Sequence, residues 1–509
     1  MAFKMNEAPG VRLGDEGVAV ARSQGGRGMQ ILNMLTEWIT KINDVVNGVV
    51  WGPVMLALLV GVGIYFTIRT GFFQVRKFGF LLKKTILSVF RDKHTVKSND
   101  KHAISQFQAL ATTLAATIGT GNIVGVATAI SAGGAGAVFW MWVSAFFGMM
   151  TSFAENVLGI YYRKKNEKGE WMGGSMMFLE KGLGCKWLAV LFAVFSLIAS
   201  FGIGNIAQVN GISVALDMTF HIPPVATGIV LAVLIAFVLL GGLKRVAVVT
   251  EKLVPGMALL YTVGALAVIA LNWRQIPAAF AEIFHSAFDL QSVGGGVMGY
   301  GVARAMRYGI SRGVFSNEAG LGSSVMVNSC SDVKEPVVQG MWGAFAVFFD
   351  TLVMCTLTAL IVITSGAHRQ GLEGVEITNF AFTTTIGSAG GMVLSVCILL
   401  FAFSTVLGWS VYGSKAAEYL WGIKAVVVYK FCFAAVVFLG AVSSVQLVWD
   451  LSDTFNGLMA LPNLVGVIFL SGTVMKVSKN YFARTFHGST VRPMLSAYDD
   501  HSVPRPRRR

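Results

Sequence analysis

Apolar residues in this chain come in long runs rather than in stripes. Stretches of about 20 residues carry almost no charge and are apolar on every face. They lie at roughly 51–69, 104–130, 137–162, 187–215, 225–243, 252–272, 297–327, 340–364, 389–414, 423–442 and 446–472. A run of roughly 18 or more such residues reads as a membrane-spanning helix. Barrel strands would show dyad alternation over about 10 residues, and none is seen. Lipid offers no partner for a bare backbone N–H or C=O, so these spans must be helices. The pattern predicts an all-α polytopic membrane protein with about 11 transmembrane helices.

Two of the stretches are poor continuous helices. The first is Ala115–Gly125 (AATIGTGNIVG). Gly119, Gly121 and Gly125 each lower helix propensity by about 1 kcal/mol relative to Ala, and Thr117, Thr120 and Asn122 add polar groups. A break at membrane depth frees N–H groups that suit a carboxylate and carbonyls that suit a cation such as sodium. A second use fits the same residues, since Gly121 and Gly125 have the spacing of small-residue helix packing. The other break falls in Gly309–Gly322 (GISRGVFSNEAGLG), with Ser311, Asn317, Arg312 and Glu318 at membrane depth. If the breaks open spans two and seven, spans 2–6 and 7–11 are halves of odd helix number and opposite topology. Paired breaks in inverted repeats point to a transporter site.

Other polar groups within the runs are ambiguous. Ser404 and Thr405 (FAFSTVLGW) fit hydroxyls bonding back to the previous helical turn, or ligands for a hard cation. Trp409 fits the wall of a small pocket, and Gln208 (FGIGNIAQVN) a contact to substrate or to a neighbouring helix. Asp350 lies mid-span in WGAFAVFFDTLVM. Pairing with Arg307 or Arg312 is the preferred reading, and a proton or ion ligand the other. Glu155 reads as an interfacial charge near Arg163, and Asp450 with Asp453 as water-facing caps on one helical face.

Composition agrees with the pattern. Of 509 residues 54% are hydrophobic and only 13% charged, about half the charge of a soluble domain; mean hydropathy is +0.66. A net charge of +14 in a soluble protein would point to nucleic acid. Here the charge sits in loops and sets orientation. Nine lysines and arginines lie in the connection that runs from Arg69, itself included, to His102. Further groups at Arg163–Lys186, Lys244–Lys252, Lys334, Lys415–Lys424 and Arg505–Arg509 fall on the same side, which the positive-inside rule makes cytoplasmic. The N-terminus is then outside and the C-terminus inside, despite Lys4, Arg12, Arg22 and Arg27. Phe72–Phe90 mixes basic and apolar residues and reads as an interfacial helix. The first 28 residues have no apolar core, so no cleaved signal peptide is expected. The five cysteines are scattered and read as buried small hydrophobes.

Nothing in the chain looks catalytic: there is no nucleophile elbow, HExxH or Walker loop, and no cofactor is expected. An ion channel would need a symmetric pore or filter segment, which two helix breaks in one chain do not supply. A proton-coupled small-solute transporter stays open through Asp350.

Several segments resemble the alanine or glycine:cation symporter family. Gly133–Gly148 (GGAGAVFWMWVSAFFG) carries the resemblance most specifically. GTGN at Gly119–Asn122, FAEN at Phe153–Asn156 and RGVFSNEAGLGS at Arg312–Ser323 extend it. It covers about residues 50–475. It implies a LeuT-like 5+5 inverted repeat preceded by one extra helix, and cotransport of alanine or glycine with sodium as a carried ion. By resemblance, backbone at Thr120 and Gly121 would bind the substrate carboxylate, carbonyls around Gly309–Ser311 its ammonium group, and Gln208 and Trp409 would line the pocket. Sodium would sit among Ala115, Ile118, Phe401, Ser404 and Thr405, with a possible second site at Thr117 and Asn122. The implied organisation is an outer segment 1–50, an extra helix with a basic interfacial helix 51–103, repeats at 104–272 and 273–475, and a basic tail 476–509. The implied partners are small amino acids, sodium and the bilayer, without nucleic acid, and the implied address is a bacterial inner membrane.

Overall fold

The computed structural model describes residues 34, 37–288, 297–443 and 446–498. The N-terminal basic residues and the arginine tail lie outside the described residues, as do the first 28 positions that bear on a signal peptide. The chain is mostly helical, with one two-stranded ribbon pairing Lys164–Lys165 with Trp171–Met172.

Among the described residues seven helices are long and apolar enough to cross a membrane. They are α1 (Glu37–Arg69), α4 (Gly136–Tyr161), α5 (Lys186–Phe220), α7 (Gly242–Leu271), α9 (Pro336–Thr364), α10 (Ser388–Trp421) and α11 (Ala425–Val442). Two bent pairs raise the number to nine. One joins α2 (Gln106–Thr117) to α3 (Gly121–Gly133) at 51°, and the other joins α12 (Gln446–Phe469) to α13 (Ser471–Phe486) at 59°. The shorter α6 (Pro224–Leu240) and the less apolar α8 (Val297–Asn317) occupy two more of the apolar stretches.

The first break is where the glycines put it. α2 starts on a capping box, with Ser105 Oγ accepting from Gln108 N–H and Gln108 returning the bond. It ends at Thr117, and Ile118 turns extended. The chain re-enters a helix through a wide π-helical turn at Gly121–Gly125. Two more wide turns interrupt α5 at Gly202–Ile206 and α9 at Phe348–Cys355. Such bulges concentrate at functional sites.

The second break falls at the C-terminal end of its expected stretch, away from Gly309–Ser311. α8 runs unbroken through Gly309 and Ser311 to Asn317, and the chain leaves helical geometry at Glu318–Ser324. Glu318, Gly320 and Gly322 have φ of 57°, 91° and 75°, which only the glycines adopt without cost. Gly309 and Gly313 serve packing instead. A side-chain carbon at Gly309 would run into the Ala137 carbonyl of α4.

Phe72–Phe90 is helical only in pieces, Phe73–Arg76, Phe78–Lys84 and Ile86–Ser88. Phe73 stacks on Phe482 of α13.

Candidate functional site

The first break meets the last turn of α8, just ahead of the second break. Beside Gly121 stand the Phe315 ring and the Ser316 backbone, 3.4 and 3.7 Å from where a side-chain carbon would be. An open cavity of about 590 Å³ descends to this place. Thr120, Gly121 and Phe315 lie along it, with Arg312, Glu373 and Asp453 among its polar lining.

Deeper groups are buried. Gln208 is 2% exposed, and its Oε1 accepts from Thr120 N–H at 3.1 Å and Thr120 Oγ1 at 3.0 Å. Its amide donates to Ile203 O in the wide turn of α5. The sequence left Gln208 between substrate and neighbouring helix; in this structure it holds the break. Trp409 is buried against Gly204 of that same turn.

On the far side of the break, oxygens from α2 and α10 converge. Ser404 Oγ lies 3.4 Å from Ala115 O and 2.8 Å from Phe401 O. Thr405 Oγ1 lies 3.3 Å from Ile118 O and 3.0 Å from Phe401 O. The Ala115 and Ile118 carbonyls are near the end of α2, where the helix leaves its last carbonyls without partners. The arrangement is a neutral, oxygen-rich nest, the donor type that suits a hard cation, with the Met257 sulfur 3.3 Å from Ser404 Oγ at its edge.

Asp350 is 1% exposed and does not pair with arginine. Its Oδ1 accepts from Asn122 Nδ2 at 2.9 Å, and its Oδ2 from Ser316 Oγ at 2.8 Å and Thr351 Oγ1 at 2.9 Å. Asn122 Oδ1 in turn accepts from Gly119 N–H at 3.0 Å. The wide turn at Phe348–Cys355 contains the aspartate. Arg312 instead binds Asp453 at 3.3 Å, so Asp453 is no free cap. Thr117 does not join Asn122; its hydroxyl turns back to Leu114 O.

Glu155 does not pair with Arg163. It is fully buried, bonded to Asn463, which also donates to Gly320 O at 2.8 Å in the second break. Arg163 lies apart, donating to the Ser329, Ser331 and Val333 carbonyls while its guanidinium covers Trp171 at 4.0 Å. Ile104, just before α2, donates its N–H to the Cys330 carbonyl and accepts from the Asp332 N–H, both beyond the second break, and Lys415 pairs with Glu418 at 2.9 Å. Lys415 also donates to the carbonyl of Trp171, so Arg163 and Lys415 share one polar mesh.

Phe315, Ser316, Glu318 and Asn463 were not singled out as site residues from sequence. Ser316 and Glu318 lay inside a quoted motif, and the polar run S-N-E before paired glycines was the available signal. Asn463, far away in α12, gave none.

Broken helices meeting at a buried polar centre define a secondary transporter. The solved structure of MhsT in complex with L-phenylalanine matches with a TM-score of 0.53 at 13% identity, covering 75% of this chain and 92% of that one. The fold is therefore LeuT-like. Residues 36–494 match the sodium:alanine symporter family, and the chain belongs to it. Among relatives, the sodium/alanine symporter AgcS of Methanococcus maripaludis is 44% identical over 87% of this chain and 97% of its own. The probable sodium/glutamine symporter GlnT of Bacillus subtilis is 39% identical over 88% and 91%.

Proposed function

We propose that this chain imports alanine, glycine or both with sodium, by alternating access. The observation that carries the proposal is the convergence of Ala115, Ile118, Phe401, Ser404 and Thr405 oxygens, with Thr405 packed against Gly119 of the break. A cation in that nest would hold the end of α2 against α10. In doing so it would fix the break just before Thr120 and Gly121, which line the cavity, and that is how ion and amino acid would favour each other's binding. Such coupling is typically about 1–3 kcal/mol. AgcS is named for alanine and GlnT for glutamine. The Phe315 ring 3.4 Å from the side-chain position at Gly121 leaves room for a small side chain and favours the former.

The substrate carboxylate would meet the N–H groups at Thr120 and Gly121. The ammonium group would meet α8 near its end at Phe315–Asn317 rather than at Gly309 and Ser311, whose carbonyls sit inside a continuous helix. Gln208 and Trp409 would act from behind the pocket. Asn122 with Asp350 is the second cation or proton position we favour, replacing Thr117.

The topology proposed is eleven crossings, an extra helix followed by inverted halves at 104–272 and 273–475, in a bacterial inner membrane. With the N-terminus outside, the cavity opens outward and the mesh around Arg163 and Lys415 closes the cytoplasmic end.

The test is uptake of labelled alanine, glycine and glutamine into proteoliposomes, with sodium or potassium outside. Sodium-driven accumulation of alanine or glycine is expected. Uptake driven by protons alone would move coupling to Asp350, and glutamine as the preferred substrate would overturn the small-pocket reading.

A further inference from the structure

A second concavity lies outside the transport site. Between α1, α4 and α8 runs an open crevice of about 730 Å³, sharing no lining residue with the cavity above. Leu56, Val60 and Ile64 of α1 form one wall, and Val143 of α4 and Ile310 of α8 face it. Two glycines of α1 keep it open: a side-chain carbon at Gly48 or Gly61 would meet nothing within 4 Å. The apolar stretch from Leu56 to Ile64 is about 12 Å long at the helical rise.

One end of the crevice is cationic. Asp453 binds Arg312 and Asn47 through its carboxylate and Trp51 through its carbonyl, so this part of α1 stands level with Arg312. Arg307 and Arg304 lie one and two turns further along α8, toward its N-terminal end, and both line the crevice. Arg304 donates to the Ala132 carbonyl. Among the described residues the Arg307 guanidinium makes no recorded hydrogen bond or ion pair, and it is exposed. An arginine at the rim of an apolar span reaches for headgroups or an anion. No aspartate or glutamate lines the crevice, so nothing there would hold the cationic amine of a zwitterionic lipid.

We propose that the crevice binds an anionic phospholipid, one acyl chain lying along Leu56–Ile64 and the phosphate held by Arg307 with Arg304 beside it. The lipid bridges α1 to α8, the helix that also carries Arg312 and Phe315 of the cavity.

Trp140 lines the crevice and serves as reporter. The full chain is reconstituted in phosphatidylcholine vesicles in which a fixed minority lipid is brominated on its acyl chain, either phosphatidylglycerol or phosphatidylcholine. Tryptophan quenching is expected to show an about five-fold preference for phosphatidylglycerol, the size one basic residue gives near an anionic surface. The preference should shrink in Trp140→Phe and vanish in Arg307→Gln. Gly61→Phe, which fills the slot and leaves both arginines, should lower quenching by either lipid, and it stands in if Arg307→Gln fails to fold. Equal quenching by the two lipids, or an unchanged preference in Arg307→Gln, overturns the proposal. Crevice cross-linking between two copies that abolishes quenching also overturns it, in favour of a dimer contact.

Discussion

The Thr405 hydroxyl lies 3.3 Å from the carbonyl oxygen of Ile118, joining α10 to the first residue past the end of α2. This contact ties the cation nest to the helix break, because Ile118 precedes by two residues the Thr120 N–H that faces Gln208.

Removing that hydroxyl should therefore weaken the ion and not the amino acid. In Thr405→Ala the sodium concentration for half-maximal uptake is expected to rise about ten-fold, equivalent to about 1.4 kcal/mol. Uptake at saturating sodium should stay near wild type. Sodium titrations of alanine uptake check this, and an unchanged sodium midpoint removes Thr405 from the ion site.

Gly121 offers a graded test. A methyl there would reach ordinary contact with Phe315 at 3.4 Å, so Gly121→Ala should fold and keep reduced uptake. Gly121→Val places branches in the narrow floor of the cavity and should abolish transport with normal membrane insertion. Full transport by the valine variant would sink the carboxylate assignment.

Arg312 and Asp453 span the cavity with side chains 27% and 19% exposed. Asp453→Asn leaves Arg312 without its anion and should lower the maximal uptake rate several-fold, with little change in sodium midpoint. The exchange Arg312→Asp with Asp453→Arg should recover part of the loss, a coupling typically about 0.5–3 kcal/mol between contacting residues. No recovery would mean the pair does not act as a unit.

Asp350 bears on coupling. Asp350→Asn keeps the size and one acceptor while removing the charge, and Asn122, Ser316 and Thr351 all meet it. A loss of transport greater than ten-fold, with the protein still folded, is expected if it faces a cation or proton (about 1.4 kcal/mol per decade). Wild-type transport in that variant would assign Asp350 to structure.

The loop end gives a pH prediction. The His102 N–H at 2.8 Å holds the Asp100 carboxyl below its usual range, with Lys165 adding to it and partial burial opposing. A folded value below the unfolded one stabilises above the unfolded value and is lost as pH falls through the folded one. Thermal stability in detergent should therefore hold from about pH 8 to about 5 and lose this contribution below about 4. Asp100→Asn should flatten that acid limb.

The second break shows the limit of reading glycines alone. Four glycines lie between Gly309 and Gly322, and sequence gives no order among them. Only Gly320 and Gly322 adopt the left-handed φ of a break. Gly309 is small because α4 lies against it, a demand made by a neighbour far away in the chain. Asp350 failed for a related reason. Cost arguments say a buried carboxylate needs a partner, and arginine is the natural guess. Asn122, Ser316 and Thr351 satisfy it from three different elements.

By itself the sequence determined the class of protein. Apolar runs longer than a bilayer is thick admit only helices, because unpaired backbone groups are too costly in lipid. It also located the first break, since Gly119, Gly121 and Gly125 act through local propensity; the five oxygen-bearing residues beside that break came from the family resemblance and not from any local pattern. The tertiary structure alone decided which polar residues face one another. Hydrogen bonds such as Asn463 to Gly320 and Arg312 to Asp453 join positions more than a hundred residues apart. A side chain's worth at membrane depth depends on the partner packing delivers, and no local pattern encodes that.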